Sequence, residues 1–291
     1  MGKFQRGFIG VENLKKDNLF KDKLLEDITS GKKNAIFPAI RSGYVSFYYK
    51  GGGLFKYDNK FRTHYKYAFV PEDTNEFYVD ELTVKEMKPV SSFVDGYNQI
   101  KERCDKYVTL EAECVSVMYQ NNITSKSDVI LLDTEIAFSK DTLDVDDDND
   151  KNLNRIDILL FDKESKTLVF VEAKHFSNSE LWSKEYTLPP VVNQVKNYEK
   201  VIKDNYEDIL TEYTKYIEVC RDLFDLDENE LPIPNNIHSK VGLLIFGFDK
   251  KQQEKIKEKL KLDGSLDDIK FYEKGDFKAT DMSTLYKKIT K

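Results

Sequence analysis

Cysteine and histidine are scarce in this chain, three of each among 291 residues. Cys104, Cys114 and Cys220 are too few and too scattered for a disulfide framework or a four-thiolate cluster, and none opens a C-x-x-C pair. They read as reduced, buried small hydrophobes. His64, His175 and His238 offer no zinc site of workable spacing. Long apolar runs are missing as well. The longest, such as VGLLIF at 241–246, fall far short of a bilayer span, so no membrane partner is expected. The start of the chain lacks the apolar stretch and cleavage site of a secretory signal, and Arg6 stands where a myristoylation signal carries Ser or Thr. A cytoplasmic location is the expectation. Neither a G-x-S-x-G elbow nor a P-loop occurs, which leaves serine-hydrolase and nucleotide-triphosphatase chemistry without support.

Apolar residues are plentiful by contrast. Hydrophobic residues make up 40% and aromatics 13%, which can build a real core and argues against disorder. The net charge of −7 is spread unevenly. Residues 1–95 hold 16 Lys/Arg against 13 Asp/Glu, whereas the rest hold 29 against 39. The acid gathers in DVDDDND at 144–150 and DLDENE at 225–230, runs that read as solvated loops. The first is not an EF-hand, because its central Gly and closing Glu are missing.

The pattern divides the chain into a small β-rich domain at 1–90 and a larger α/β domain at 91–291. In the first, a helix is predicted over 11–30, followed by a β-meander over 37–69 with Gly51-Gly52-Gly53 at a turn. That meander carries eleven aromatics, six Lys/Arg and one acid. Basic side chains between rings suit a nucleic-acid surface, and Arg41, Lys50, Lys56, Arg62 and Lys66 are the candidates. A β domain with its rings in the core is equally compatible, as is a docking surface for a partner protein, a second copy or a small ligand. In the second domain a long helix is predicted at 92–121, then strands at 128–138, 155–162 and 168–174. A helix at 191–220, a strand at 240–248, a helix at 250–262, a strand at 269–273 and a helix at 281–290 follow. This order describes a mixed β-sheet flanked by helices.

RIDILLFDKESKTLVFVEAKHF, at 155–176, reads as a buried hairpin that nevertheless contains Asp157, Glu172 and Lys174. Ionised groups are costly to bury unless paired or bound to metal. Pairing Asp162 with Thr167 across the KESK loop sets Asp157 opposite Glu172, and Lys174 shares their face. Opposed carboxylates repel, and a divalent cation would remove the penalty. Carboxylate oxygens suit Mg²⁺ or Mn²⁺. Lys174 can then orient or deprotonate the attacking water, or stabilise charge developing on phosphorus. On a following helix Gln194 and Tyr198 lie four apart and share a face.

The pattern D-x14-E-x-K followed by Q-x3-Y resembles the PD-(D/E)XK nuclease superfamily, and within it the RecB-like branch, over about 95–250. The resemblance implies a restriction-endonuclease-like αβββαβ core. It implies that Asp157, Glu172 and the backbone carbonyl of Ala173 are metal ligands and that Lys174 is the catalytic lysine. Gln194 and Tyr198 would hold that lysine and the nucleic-acid backbone. Members often add a carboxylate from the preceding helix. Here Glu111 falls on the apolar stripe of the predicted 92–121 helix, with Glu135 the weaker alternative. Ile156 stands where the name-giving motif has proline. The expected function is a Mg²⁺- or Mn²⁺-dependent nuclease leaving 5′-phosphates, acting on DNA in preference to RNA, in restriction, repair or anti-phage defence. The alternatives are an idle nuclease fold that only binds nucleic acid, and an interaction or ligand-sensing protein.

Overall fold

The computed structural model describes residues 4–33, 35–68, 77–87, 91–138, 155–183, 188–256, 258, 260 and 266–291. The acidic run at 144–150 lies outside them. The chain is a mixed α/β protein with two β-sheets. Among the described residues no helix is long and apolar enough to cross a membrane.

The first sheet is antiparallel and runs in chain order: β1 (Ile36–Ile40), β2 (Val45–Tyr49), β3 (Gly52–Tyr57), β4 (Phe61–His64) and β5 (Tyr78–Asp80). The β2–β3 turn puts Lys50 at φ 49° and Gly51 at φ 83°, the two positive values that let a tight hairpin follow the strand twist. Gly52 serves packing instead: a Cβ there would meet the Cys104 sulfur of an overlying helix at 2.6 Å. The segment before this sheet forms α1 (Val11–Lys16), a π-helical turn at Phe20–Leu24 and α2 (Leu25–Thr29), not one helix. Asp17 breaks the run by turning extended, with its carboxylate accepting the Leu19 N–H. Leu14, Leu19, Leu24 and Ile28 are all buried.

The second sheet has the order β11-β10-β8-β7-β6. Strands β6 (Val129–Ala137), β7 (Arg155–Asp162) and β8 (Thr167–His175) form an antiparallel meander. Strands β10 (Gly242–Phe246) and β11 (Lys270–Lys274) continue it in parallel, and β9 (Asn236–Ile237) pairs the start of β8. Parallel neighbours need a crossover. Between β8 and β10 it is made by α6 (Pro190–Asp204) and α7 (Tyr206–Phe224), which part at Asn205. Pro190 sits in the first turn of α6, where its missing N–H costs nothing. Helix α8 (Lys250–Ile256) links β10 to β11 and α9 (Met282–Thr290) closes the chain.

Both faces of this sheet are covered, which explains strands read as continuous apolar runs. Leu159, Phe161, Phe170, Leu243 and Ile245 face Val195, Tyr213, Tyr216 and Ile217 of α6 and α7. Ile158, Leu160, Val171 and Leu244 face Met118, Tyr119, Leu285 and Ile289. Each such side chain, fully buried, contributes roughly 1.5–3 kcal/mol. The first core extends without interruption to Phe47, Phe55 and Tyr57 of the first sheet.

The helix predicted over 92–121 is instead α4 (Tyr97–Asp105), α5 (Leu110–Ser116) and a 3₁₀ turn at Val117–Asn121, with a separate α3 (Glu81–Met87) before the predicted range. Thr109 ends the continuity. Its backbone is extended, and its hydroxyl caps α5 by accepting the Ala112 N–H at 3.2 Å.

Candidate active site

The β7–β8 ladder runs from Asp162 opposite Thr167 to Ile158 opposite Val171. Asp157 and Glu172 each lie one residue beyond that last pair, on the side of Leu159 and Phe170 that packs in the core with α6 and α7. The Asp157 carboxylate accepts the Ala173 N–H at 2.8 Å, and its own carbonyl accepts the Thr134 hydroxyl at 2.7 Å. Glu172 is only 1% exposed. Its Oε1 meets the Lys174 ammonium at 2.9 Å, and its Oε2 is buried without a hydrogen-bond partner. Lys174, also buried, reaches a second carboxylate, Glu180, at 2.7 Å. Glu180 lies on a 3₁₀ turn, Ser179–Leu181, whose cap Asn178 accepts the Glu180 N–H.

Glu111 reaches the same strand end from α5. It accepts the His175 N–H at 2.9 Å and the Asn178 amide at 3.1 Å. The sequence argument for Glu111 assumed an unbroken helix; the break at Thr109 removes that argument, and the residue arrives by another route. Glu135 approaches from β6. A register shift between Leu131 and Asp133 sets Thr134 opposite Ile158 and Ile136 opposite Ile156, so Glu135 falls opposite Asp157. Its backbone is left-handed at φ 53°, a conformation that costs a non-glycine residue roughly 1–2 kcal/mol.

The crowding of carboxylates shows in their proton affinities. Burial first, then Glu172 and Glu135, push Asp157 well above the usual carboxylate range. Burial raises Glu172 to about 7, against the pull of Lys174 and with the help of Glu111 and Glu180. Burial draws the Lys174 pKa down, but Glu172, Glu180 and Asp157 outweigh it and hold the ammonium above the ordinary 10.5. A lysine so held does not take up a proton at neutral pH.

Gln194 and Tyr198 of α6 bond to each other at 3.1 Å, and the Tyr198 hydroxyl donates to the Arg155 carbonyl at 2.8 Å. Charge from Glu172 and Asp157 raises the Tyr198 pKa after burial does, so the ring borders the cluster. Lys174 is gripped by Glu172 and Glu180, and the contact found for Gln194 is Tyr198. Glu180 was missed by sequence reasoning. The available signal was a carboxylate following an Asn cap in FSNSEL, six residues after the lysine.

No protein-family model, curated protein or solved structure matches this chain. The functional reading therefore rests on its own geometry. Among the described residues, no three His, Cys, Asp or Glu side chains stand close enough to chelate an ion. The donor set nonetheless suits a hard divalent cation. Glu172 adds to burial in raising the pKa of Asp157 on the adjacent strand, and Glu172 Oε2 is an acceptor buried with nothing to accept, which costs about 1–3 kcal/mol. Mg²⁺ needs only one or two carboxylates besides water and phosphate oxygens.

The basic residues of the first sheet have a different fate. Arg41 is 7% exposed, and its guanidinium bonds Asp133 at 2.7 Å and the Thr134 carbonyl at 2.6 Å. Burial in that ion pair removes it from any nucleic-acid surface. Lys50 pairs with Asp105 at 2.6 Å and Arg62 with Asp58 at 2.6 Å. Lys56 lies 4.0 Å over the Tyr44 ring, and Lys66 lies 5.8 Å from the Tyr65 and Tyr107 rings. Phe37, Phe47, Tyr48, Tyr49, Phe55, Tyr57, Phe61, Tyr65 and Tyr67 are buried. Rings inside the core cannot stack on bases.

Proposed function

We propose that this chain is a divalent-metal-dependent nuclease of the PD-(D/E)XK kind, hydrolysing phosphodiester bonds in DNA. Its restriction-endonuclease-like core would be α5, β6, β7, β8, α6 and β10. One observation carries the reading: Asp157, Glu172 and Lys174 meet at one end of one sheet face, beside the helix that bears Gln194 and Tyr198. Asp157 and Glu172 would hold Mg²⁺ or Mn²⁺ with the Ala173 carbonyl, and Glu111 is the further acid at the same strand end. Bound there, the ion would polarise the phosphodiester and lower the pKa of the attacking water.

The residues themselves divide the remaining work. Lys174 keeps its positive charge and faces the negative charge that develops on phosphorus, which a preorganised cation stabilises without reorganising. Glu180 and Glu172 fix where that ammonium sits. Tyr198, tied to the Arg155 carbonyl, holds β7 and α6 together and so keeps Asp157 in register with β8.

The test is incubation of the purified protein with linear, circular and single-stranded DNA and with RNA, with and without Mg²⁺ or Mn²⁺. Asp157→Ala and Lys174→Ala run alongside. Metal-dependent cleavage lost in both variants supports the enzyme. Binding without cleavage, unchanged by either substitution, identifies a nucleic-acid-binding module instead.

A further inference from the structure

The first sheet hides its rings, yet one aromatic cluster stands beside the candidate site. Phe176 lies in the turn just past the end of β8, two residues after Lys174, and is buried in the same core as Leu181 and Val195. Trp182 packs edge-on against Phe176, with ring centroids 5.1 Å apart, and its indole N–H donates to the Phe176 carbonyl at 3.2 Å. This bond fixes the plane of the indole. Trp182 is part-exposed and follows directly on the turn that presents Glu180 to Lys174. The ammonium of Lys255, an exposed residue of α8, lies 4.5 Å over the Trp182 ring and 5.6 Å from Phe176.

We propose that Trp182 is a stacking platform for a base of single-stranded DNA next to the phosphate held at Lys174, with Lys255 taking the adjoining phosphate. The proposal rests on the nuclease reading for its orientation. Three features point to this occupant. The ring is anchored by its N–H and backed by Phe176, so stacking costs little ordering of the protein. Its exposed side is covered by a cation on a flexible stem, which can yield to a base and move to a phosphate. The segment 249–261 around Lys255 carries six lysines against three acids in an otherwise acidic protein, the complement a polyanion requires. A base in a duplex has no free face to offer, so the platform selects single strands, frayed ends or overhangs.

Trp182 is the only tryptophan of the chain, so its fluorescence reports this site alone. The full-length protein is titrated with oligothymidylate, oligouridylate and a blunt duplex in EDTA, where cleavage does not intervene. Binding is followed in parallel by anisotropy of the labelled oligonucleotide. The expected result is saturable quenching by oligothymidylate at concentrations where the duplex has little effect. Trp182→Ala is expected to bind about tenfold or more weakly and Trp182→Phe nearly normally. Lys255→Ala should reduce the slope of log K against log salt by about 0.7. Oligothymidylate that binds without quenching, or binds Trp182→Ala as tightly as the wild type, overturns the proposal. So does a failure to bind any oligonucleotide, or a preference for the duplex or for oligouridylate. Cleavage without quenching removes the platform and leaves the nuclease. Quenching without cleavage in Mg²⁺ or Mn²⁺ does the reverse.

Discussion

Glu172 carries the clearest electrostatic signature. Its ordinary pKa of 4.5 is raised to about 7 in the fold. A carboxyl raised in this way stabilises the fold below its unfolded pKa, and the contribution is lost as pH rises through the folded value. The metal-free protein is therefore expected to lose stability between about pH 4.5 and 7, by an amount on the order of 3 kcal/mol from this group. Thermal melts of the wild type and Glu172→Gln across that range check it; the variant should show a flatter profile. Metal binding must displace the protons that burial favours on Glu172 and on Asp157, so Mg²⁺ or Mn²⁺ affinity should fall as pH drops, about tenfold per pH unit for each proton displaced. Calorimetric titration in buffers of different ionisation enthalpy counts those protons directly. Glu180 makes a separate prediction. Its side chain is 45% exposed and the buried Lys174 keeps Glu172 as a partner, so Glu180→Gln should lower the melting temperature only modestly. Freed from one of its two carboxylates, Lys174 loses its fixed position, and kcat should fall about tenfold while KM stays near the wild-type value.

The elements that aim these side chains were legible to different degrees. The β7–β8 register could be counted from RIDILLFDKESKTLVFVEAKHF because a strand has one side-chain period and a short loop leaves little freedom. Helices were harder. Apolar spacing continues smoothly through 11–30, 92–121 and 191–220, but Asp17, Thr109 and Asn205 interrupt each backbone. A side-chain cap that competes with helix continuation leaves the apolar stripe intact, so periodicity alone overlooks it. The bulge in β6 was equally hidden, since VILLDTEIA opens on a continuous apolar run that carries no alternation to show a shift. Without the shift, Thr134 rather than Glu135 would stand opposite Asp157. The cap at Thr109 has a consequence for the site, because α5 is short and brings Glu111 to the end of β8. Thr109→Ala should cost about 1 kcal/mol of stability. It should also weaken the hold of Glu111 on the His175 N–H, which amide hydrogen exchange at His175 would report as faster exchange.

At the scale of the whole molecule, the two sheets are joined by a buried charge network. Asp133 is fully buried in β6, and it accepts from Arg6 at 3.1 Å, from Arg41 at 2.7 Å and from the Tyr213 hydroxyl at 3.0 Å. Arg6 comes from the N-terminal segment, Arg41 follows β1, and Tyr213 belongs to α7, so one carboxylate ties four parts of the chain. Glu212 adds a second acid by accepting the Arg6 N–H at 2.7 Å, and the Tyr216 hydroxyl donates to the Pro38 carbonyl at 3.4 Å. A basic residue in a basic, aromatic stretch suggests phosphate, and Arg41 illustrates why composition misleads there: its partner lies 92 residues away in sequence. The network sits directly behind the site, because Arg41 also holds the Thr134 carbonyl while the Thr134 hydroxyl holds the Asp157 carbonyl. Asp133→Ala would strand two guanidinium groups in the core, and breaking one side of a buried ion pair costs about 3–5 kcal/mol. The first sheet and the second share a continuous apolar core besides this network. Chemical denaturation followed by tryptophan fluorescence, which reports Trp182 beside the second sheet, and by tyrosine signals, seven of whose seventeen sources lie between Tyr44 and Tyr78 in the first, should therefore give coincident transitions in the wild type. In Asp133→Ala both midpoints should drop together. A variant in which the tyrosine transition separates and moves ahead of the tryptophan one would mean that the charge network, and not the shared core, makes the two sheets a single folding unit.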